Sequence, residues 1–416
     1  MRAYKIVQRS LLALGVVLGS IAVAQAAETK GPVTDDIGVF VIPKGAPIQI
    51  GGYWVLSGAD TALGLDQKRA VEIAIKEHGG KLLGHPIKFN VEDSLCNAEG
   101  GQTAATKLAA NPNNVIVIGP SCSSEATPGA PILWKAGITS IGTSPTAPPL
   151  TASNRKPEYA GFVRTVYSDA YQGEADAKWM WNVLKVKTIV TVHDGSPYAK
   201  GLAQATAENF KKLGGKVLSE EAVQPTDVDM HAMLTRVATE KPDLLYFPIF
   251  VAAGAQILRQ AKEVPGLEKV QLIGSSGMLA ADLIKAAGAA VVGFRITYPD
   301  ISPEAMGKGY PKFVDEYKKA YGEGPIEGYH ANAYDAATLA FKAIEKVAKT
   351  DSAGNLYIGK KALRDAVFAT KFEGISGPIS CDQYGECAKF KPAVYEFTNS
   401  DPSTFKPGVN PKKIYP

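Results

Sequence analysis

The chain has 416 residues, 45 basic and 41 acidic. Arg2, Lys5 and Arg9 precede an apolar run from Leu11 to Ala24 and a small-x-small cleavage site, Ala24-Gln25-Ala26, so residues 1–26 read as an export signal. Its removal leaves 42 basic against 41 acidic residues, a balance that argues against a nucleic-acid partner; no later segment approaches the ~18 apolar residues of a membrane span, and roughly 390 remaining residues predict two domains.

Residues 27–47 form a long lead-in to which the sequence assigns no role. From Ile48, the strand IQIGGYWV precedes the helical segment LDQKRAVEIAIKEH, which stops at Gly79-Gly80. PIKFNVED and AEGGQTAATKLAAN repeat the pair. Val115 to Ile118 is a short apolar strand. Ser123 and Ser124 stand where the N-cap of the next helix is expected, with Pro128 in its first turn. Ile138 to Ile141 is the following strand, and it runs into Gly142, Thr143, Ser144, Pro145 and Thr146.

A second strand–helix series starts near Val166 and includes KTIVTVHD, DLLYFPIF, VQLIG and VVGFRITYP. Two long helices follow, PEAMGKGYPKFVDEYKKAYG and EGYHANAYDAATLAFKAIEKVA. The alternation predicts an α/β protein with parallel sheets flanked by helices. One lobe is expected from 48–166 plus 299–376 and the other from 167–298 plus 377–398. The Pro-rich tail, 399–416, lacks periodicity and reads as a frayed or surface-ordered end.

Strand ends beside helix N-termini are where open α/β sheets bind ligands. The free N–H groups there favour an anion. Two hydroxyl clusters at successive strand ends, with no Lys or Arg among them, suit a carboxylate held by hydrogen bonds and released again.

Four cysteines in an exported chain read first as disulfides. Cys96 and Cys122 follow neighbouring strands, and Cys381 and Cys387 share the turn-rich CDQYGEC. A zinc site would want a CxxC or a His pair, and neither is present. His78, His85, His193, His231 and His330 are scattered. His193 and Asp194 are adjacent on a strand and so point to opposite faces. GSSG at 274–277 is not a GxSxG nucleophile elbow, and no GxGxxG or P-loop occurs. No enzyme, cofactor or metal site is expected. A sensory ligand-binding domain would need an attached signalling domain, although the chain could still present its ligand to a sensor.

YWVLSGADTALG, EDSLCNAEGGQTAA, IGPSCSSEATPGAPI, SPTAPPLT, FVRTVYSDAYQG, VHDGSPYAKG, QILRQAK and YDAATLAFKAI occur in one order. In that order they resemble the leucine/isoleucine/valine-binding type of periplasmic ABC-transporter receptor, from about Ile48 to Thr398. The resemblance implies a periplasmic monomer with two lobes of the type I periplasmic-binding fold. Three hinge crossovers are expected near Val166, Tyr298 and Gly377, and the solute passes to a membrane permease with its ATPase subunits. The resemblance also supports the Cys96–Cys122 pairing. It puts Ser123 and Thr146 on the ligand carboxylate, Ser144 at a backbone contact and Tyr198 over the ligand. Where the family's amino-acid binders carry a carboxylate for the ligand ammonium, this chain has Ser276; Leu63 and Phe250 replace tyrosines. The ammonium half of the site therefore looks lost unless Glu125 or Asp194 takes over. The favoured ligand is an organic acid with an apolar or aromatic body, and a branched-chain or other amino acid, or an amide, is the alternative.

Overall fold

The computed structural model describes residues 27–416; the expected export signal lies outside the described residues. Two sheets organise the chain. In spatial order the first contains Lys81–Leu82, His85–Asp93, Ile48–Trp54, Asn114–Ile118, Thr139–Gly142 and Phe162–Arg164. All its pairings are parallel except the short one between its first two strands. The second contains Lys216–Ala222, Thr188–His193, Leu244–Tyr246, Gln271–Gly274, Arg295–Pro299, Pro392–Glu396 and Lys412–Tyr415. Its first five strands are parallel and its last two antiparallel.

Continuous apolar runs explain the central strands. Every residue of Asn114–Ile118 and of Leu244–Tyr246 is buried, as strands covered on both faces require. Each sheet has its own core. Ile50, Ile116, Val117 and Ile141 belong to one; Ile189, Leu245, Ile273 and Ile296 belong to the other.

The chain passes between the cores three times. Val163 packs in the first core and Val166 in the second; Tyr298 packs in the second, and Met306 against the first. The third passage differs from expectation. Pro378–Ser380 pairs with Lys371–Glu373, and Ile379 and Cys387 pack in the first core. The chain thus leaves the first core after Cys387, not at Gly377, because the Cys381–Cys387 loop lies along the edge of the first sheet: Arg164 N donates to Gly385 O and Cys387 N to Arg164 O.

Other local expectations also shift. The helix expected from Pro303 begins at Tyr310, at N1 before Pro311, and ends at Gly322 with φ 77°, a left-handed C-cap that glycine favours. The lead-in is structured: Val39–Ile42 pairs with Leu356–Gly359, and Asp35 accepts from Lys361 N and Ala362 N in the first turn of the helix Lys360–Ala369. The tail is structured as well. Lys412–Tyr415 extends the second sheet, and buried Asn410 holds Thr398, Asn399 and Thr404.

Candidate functional site

A cleft with about 590 Å3 of empty space, part of it open to solvent, lies between the two cores. All seven residues named from sequence, Leu63, Ser123, Ser144, Thr146, Tyr198, Phe250 and Ser276, line it. The first sheet contributes the hydroxyl wall. The helix Ser123–Lys135 is N-capped by Cys122, so Ser123 is its first residue and Pro128 falls beyond the first turn. Ser123 Oγ accepts from Ala147 N at 3.0 Å, which leaves its hydroxyl proton for a ligand. Ser144 is committed elsewhere. Its Oγ donates to Ser121 O at 2.6 Å and accepts from Gln67 Nε2 at 2.8 Å.

Thr146 sits between two pinned carbonyls. Arg164, fully buried, donates from Nη1 to Pro145 O at 3.0 Å and Ala147 O at 2.9 Å. Its Nη2 donates to Thr151 Oγ1 at 2.6 Å and Glu386 Oε2 at 2.8 Å. Glu386 lies inside the loop closed by Cys381–Cys387, whose Cα atoms are 3.6 Å apart. The other disulfide, Cys96–Cys122, joins the two strand-end loops with Cα atoms 5.3 Å apart. Both expected pairs are therefore present.

The second sheet supplies the apolar wall. Tyr198, in the first turn of the helix Pro197–Lys212, faces Phe250 with ring centroids 5.3 Å apart. Its hydroxyl meets Ser276 Oγ at 3.2 Å and accepts from Gly277 N at 2.9 Å. Leu63, on the helix Thr61–Glu77, reaches across to pack against the second core.

The carboxylates do not follow the sequence expectation. Glu125 is not part of the cavity wall. It is fully buried and accepts from Ser94 Oγ, Cys96 N and Cys122 N at 2.6–2.8 Å, so it ties both disulfide loops together. Asp194 does not line the cavity either, and its Oδ1 accepts from Ser196 N at 2.9 Å. Instead the lining contains Asp60, Asp282 and Glu327, with Tyr329, and no Lys, Arg or His. None of the three acids forms an ion pair among the described residues. Burial, with the charge of Asp194, pushes Asp60 up to about 6. Burial and then the charges of Asp66, Asp60 and Asp282 push Glu327 well above the usual carboxylate range.

A further acid, Asp169, stands behind the hydroxyl wall. It is the first residue of the helix Asp169–Asn182 and is fully buried. Neither carboxyl oxygen has a hydrogen-bond partner of sound geometry among the described residues. Burial pushes it up to about 8, although the Thr146 hydroxyl and the Arg164 guanidinium ease its charge. That charge is also felt by Tyr198 and Tyr329, both on the cavity wall. FVRTVYSDAYQG contained Asp169, but the sequence shows neither its burial nor its missing partners.

A family model described as periplasmic binding protein matches residues 47–388. The chain belongs to this family. The leucine-, isoleucine-, valine-, threonine- and alanine-binding protein of Pseudomonas aeruginosa is 27% identical over 334 residues, covering 80% of this chain and 84% of that one. The leucine-binding protein LivK of Thermotoga maritima superposes with a TM-score of 0.76 at 24% identity, covering 85% and 96% of the two chains. A solute-binding protein of an ABC transporter from R. palustris, in complex with benzoate, superposes with a TM-score of 0.71 at 20% identity, covering 89% and 96%. The binding protein thus has the type I periplasmic-binding fold and is a solute-binding protein, not an enzyme. No helix among its described residues is long and apolar enough to cross a membrane.

Proposed function

We propose that this binding protein captures a small zwitterionic solute, an α-amino acid or a close analogue, and delivers it to the permease of an ABC transporter. Ser123, Thr146 and the N–H groups opening the helix Ser123–Lys135 hold the solute carboxylate. Asp169 takes the ammonium. The observation that carries this reading is Asp169 itself, fully buried beside Thr146 with both oxygens unpartnered. A buried carboxyl without partners is costly, and an arriving ammonium removes the cost. Tyr198, Phe250 and Leu63 then cover the solute body, and the lobes close by rotation at the three passages between the cores.

The Tyr198–Phe250 pair also favours a second reading, an aromatic acid lying against those rings. Calorimetry separates the two. Leucine or alanine should bind and benzoate should not. Tight benzoate binding without any response to amino acids overturns the zwitterion reading.

A further inference from the structure

A second cleft, with about 640 Å3 of empty space partly open to solvent, shares no lining residue with the one between the lobes. It lies between the helix Asp169–Asn182 and the strands Arg295–Pro299, Pro392–Glu396 and Lys412–Tyr415. We propose that it is a second binding site. It takes a small organic ammonium whose charged end meets Asp176 and whose apolar body lies against Trp179 and Tyr415. The site is independent of which solute the interlobe cleft holds.

Asp176 lines this cleft and is only 2% exposed. Its Oδ2 accepts from Tyr246 Oη at 2.6 Å and from Thr297 Oγ1 at 2.9 Å. Its Oδ1 accepts from no group among the described residues, yet, unlike the oxygens of Asp169, it is not sealed from solvent. The free oxygen therefore opens on the cleft. No cation of the described residues eases its charge: burial pushes Asp176 up to about 7, opposed only by the hydroxyls of Tyr246 and Thr297. A buried carboxylate with one oxygen unpaired is costly, and a cation brought to that oxygen removes the cost.

The rest of the lining sets the chemistry. It contains no second acid and no His or Cys. A divalent metal ion, which wants about six oxygen ligands, would find a single free carboxylate oxygen. Buried Trp179 and exposed Tyr415 instead offer two aromatic side chains, which suit an ammonium on an apolar body. Lys178 also borders the cleft, but its Nζ lies 2.6 Å from Glu174 Oε1, and its charge disfavours a second positive group on the occupant. One wall is built by Pro392–Glu396 and by Tyr415, which pairs with Val394. Both strands lie beyond residue 388, where the match to the family model ends, so membership of the family assigns this cleft nothing.

Calorimetry with n-butylammonium chloride tests this, at about pH 8.5, where Asp176 is ionised, and with sodium chloride holding the ionic strength constant. A saturable site is expected that survives D169N. D176N, which keeps an oxygen for Tyr246 and Thr297, should weaken it about tenfold or more. Y415A, on an edge strand, should weaken it roughly threefold in a protein whose folding is not in question. An equal response to potassium chloride overturns the ammonium assignment. Loss of the site in D169N would place the probe in the interlobe cleft and overturns the proposal. No saturable heat, or binding unchanged in D176N or Y415A, overturns it as well.

Discussion

Glu125 and Asp169 are both buried acids near the start of a helix beside the cavity, and they do opposite things. Glu125 is saturated by Ser94, Cys96 and Cys122, and burial still pushes it up to about 7. Asp169 is pushed up to about 8, and neither of its oxygens has a hydrogen bond of sound geometry, the Thr146 hydroxyl alone standing near. A saturated acid has spent its acceptors on the fold. An unsaturated one stores an unfavourable burial that only a ligand can relieve. The number of donors, not depth, separates the structural acid from the proposed functional one.

The sharpest break in this comparison is Asp169→Asn. Losing one partner of a buried pair costs roughly 3–5 kcal/mol, at least about a hundredfold in Kd for an amino acid. The free protein should gain instead. A carboxyl raised above its unfolded value stabilises the fold below about pH 4 and loses that contribution as pH rises through about 8. The variant should thus melt higher than the parent at pH 9, by less at pH 5, and alike only below about pH 4. Wild-type binding at pH 7 should release close to one proton, seen as a buffer-dependent heat, and should tighten as pH rises from 6 to 8. A heat independent of buffer ionisation would remove Asp169 from the site.

Glu125→Ala should act on stability. Three donors lose their acceptor, and each orphaned buried donor costs about 1–3 kcal/mol. Urea unfolding should show a loss of several kcal/mol at any ligand concentration. A silent variant would mean that water replaces the carboxylate in the disulfide loops.

The alternation of strands and helices was legible because buried parallel strands read as apolar runs, and VIVI could hardly be anything else. The hydroxyl wall was legible for a related reason: Ser123, Ser144 and Thr146 follow those strands directly in the chain. The acids were not. Asp60, Asp282 and Glu327 are far apart in sequence and meet only through the closure of two lobes, so no local pattern joins them. Glu125 was nominated for the ammonium by proximity alone, and the hydrogen bonds that disqualify it come from Ser94 and Cys96, on another loop. The tail strand Lys412–Tyr415 lacks periodicity because it pairs at a sheet edge with little of it buried, whereas Val39–Ile42 buries Val39, Phe40 and Ile42 but is only four residues long, too short to show a period.

Thr146→Ala tests the hydroxyl wall. A hydrogen bond to a charged group contributes roughly 1.5–3 kcal/mol, so the carboxylate grip should weaken about tenfold to a hundredfold. Leucine methyl ester, which lacks the charge, should lose much less. Equal losses for acid and ester would place the carboxylate elsewhere.

The smallest effect belongs to the Cys381–Cys387 clip, and its pattern matters more than its size. Closing so short a loop is worth roughly 2 kcal/mol of stability in the chain-entropy model. Its second consequence runs through Glu386, which the clip holds against Arg164, and through Arg164, which pins the carbonyls on either side of Thr146. Replacing both cysteines by serine should loosen that loop and weaken binding by less than about tenfold, around 1 kcal/mol. The loss should be the same for every ligand with a carboxylate, because only the shared wall is disturbed. Asp169→Asn should instead separate ligands with an ammonium from those without one. A clip variant that discriminates between leucine and alanine would show that the loop touches the other half of the cavity, and the division of labour between hydroxyl wall and buried acid would have to be redrawn.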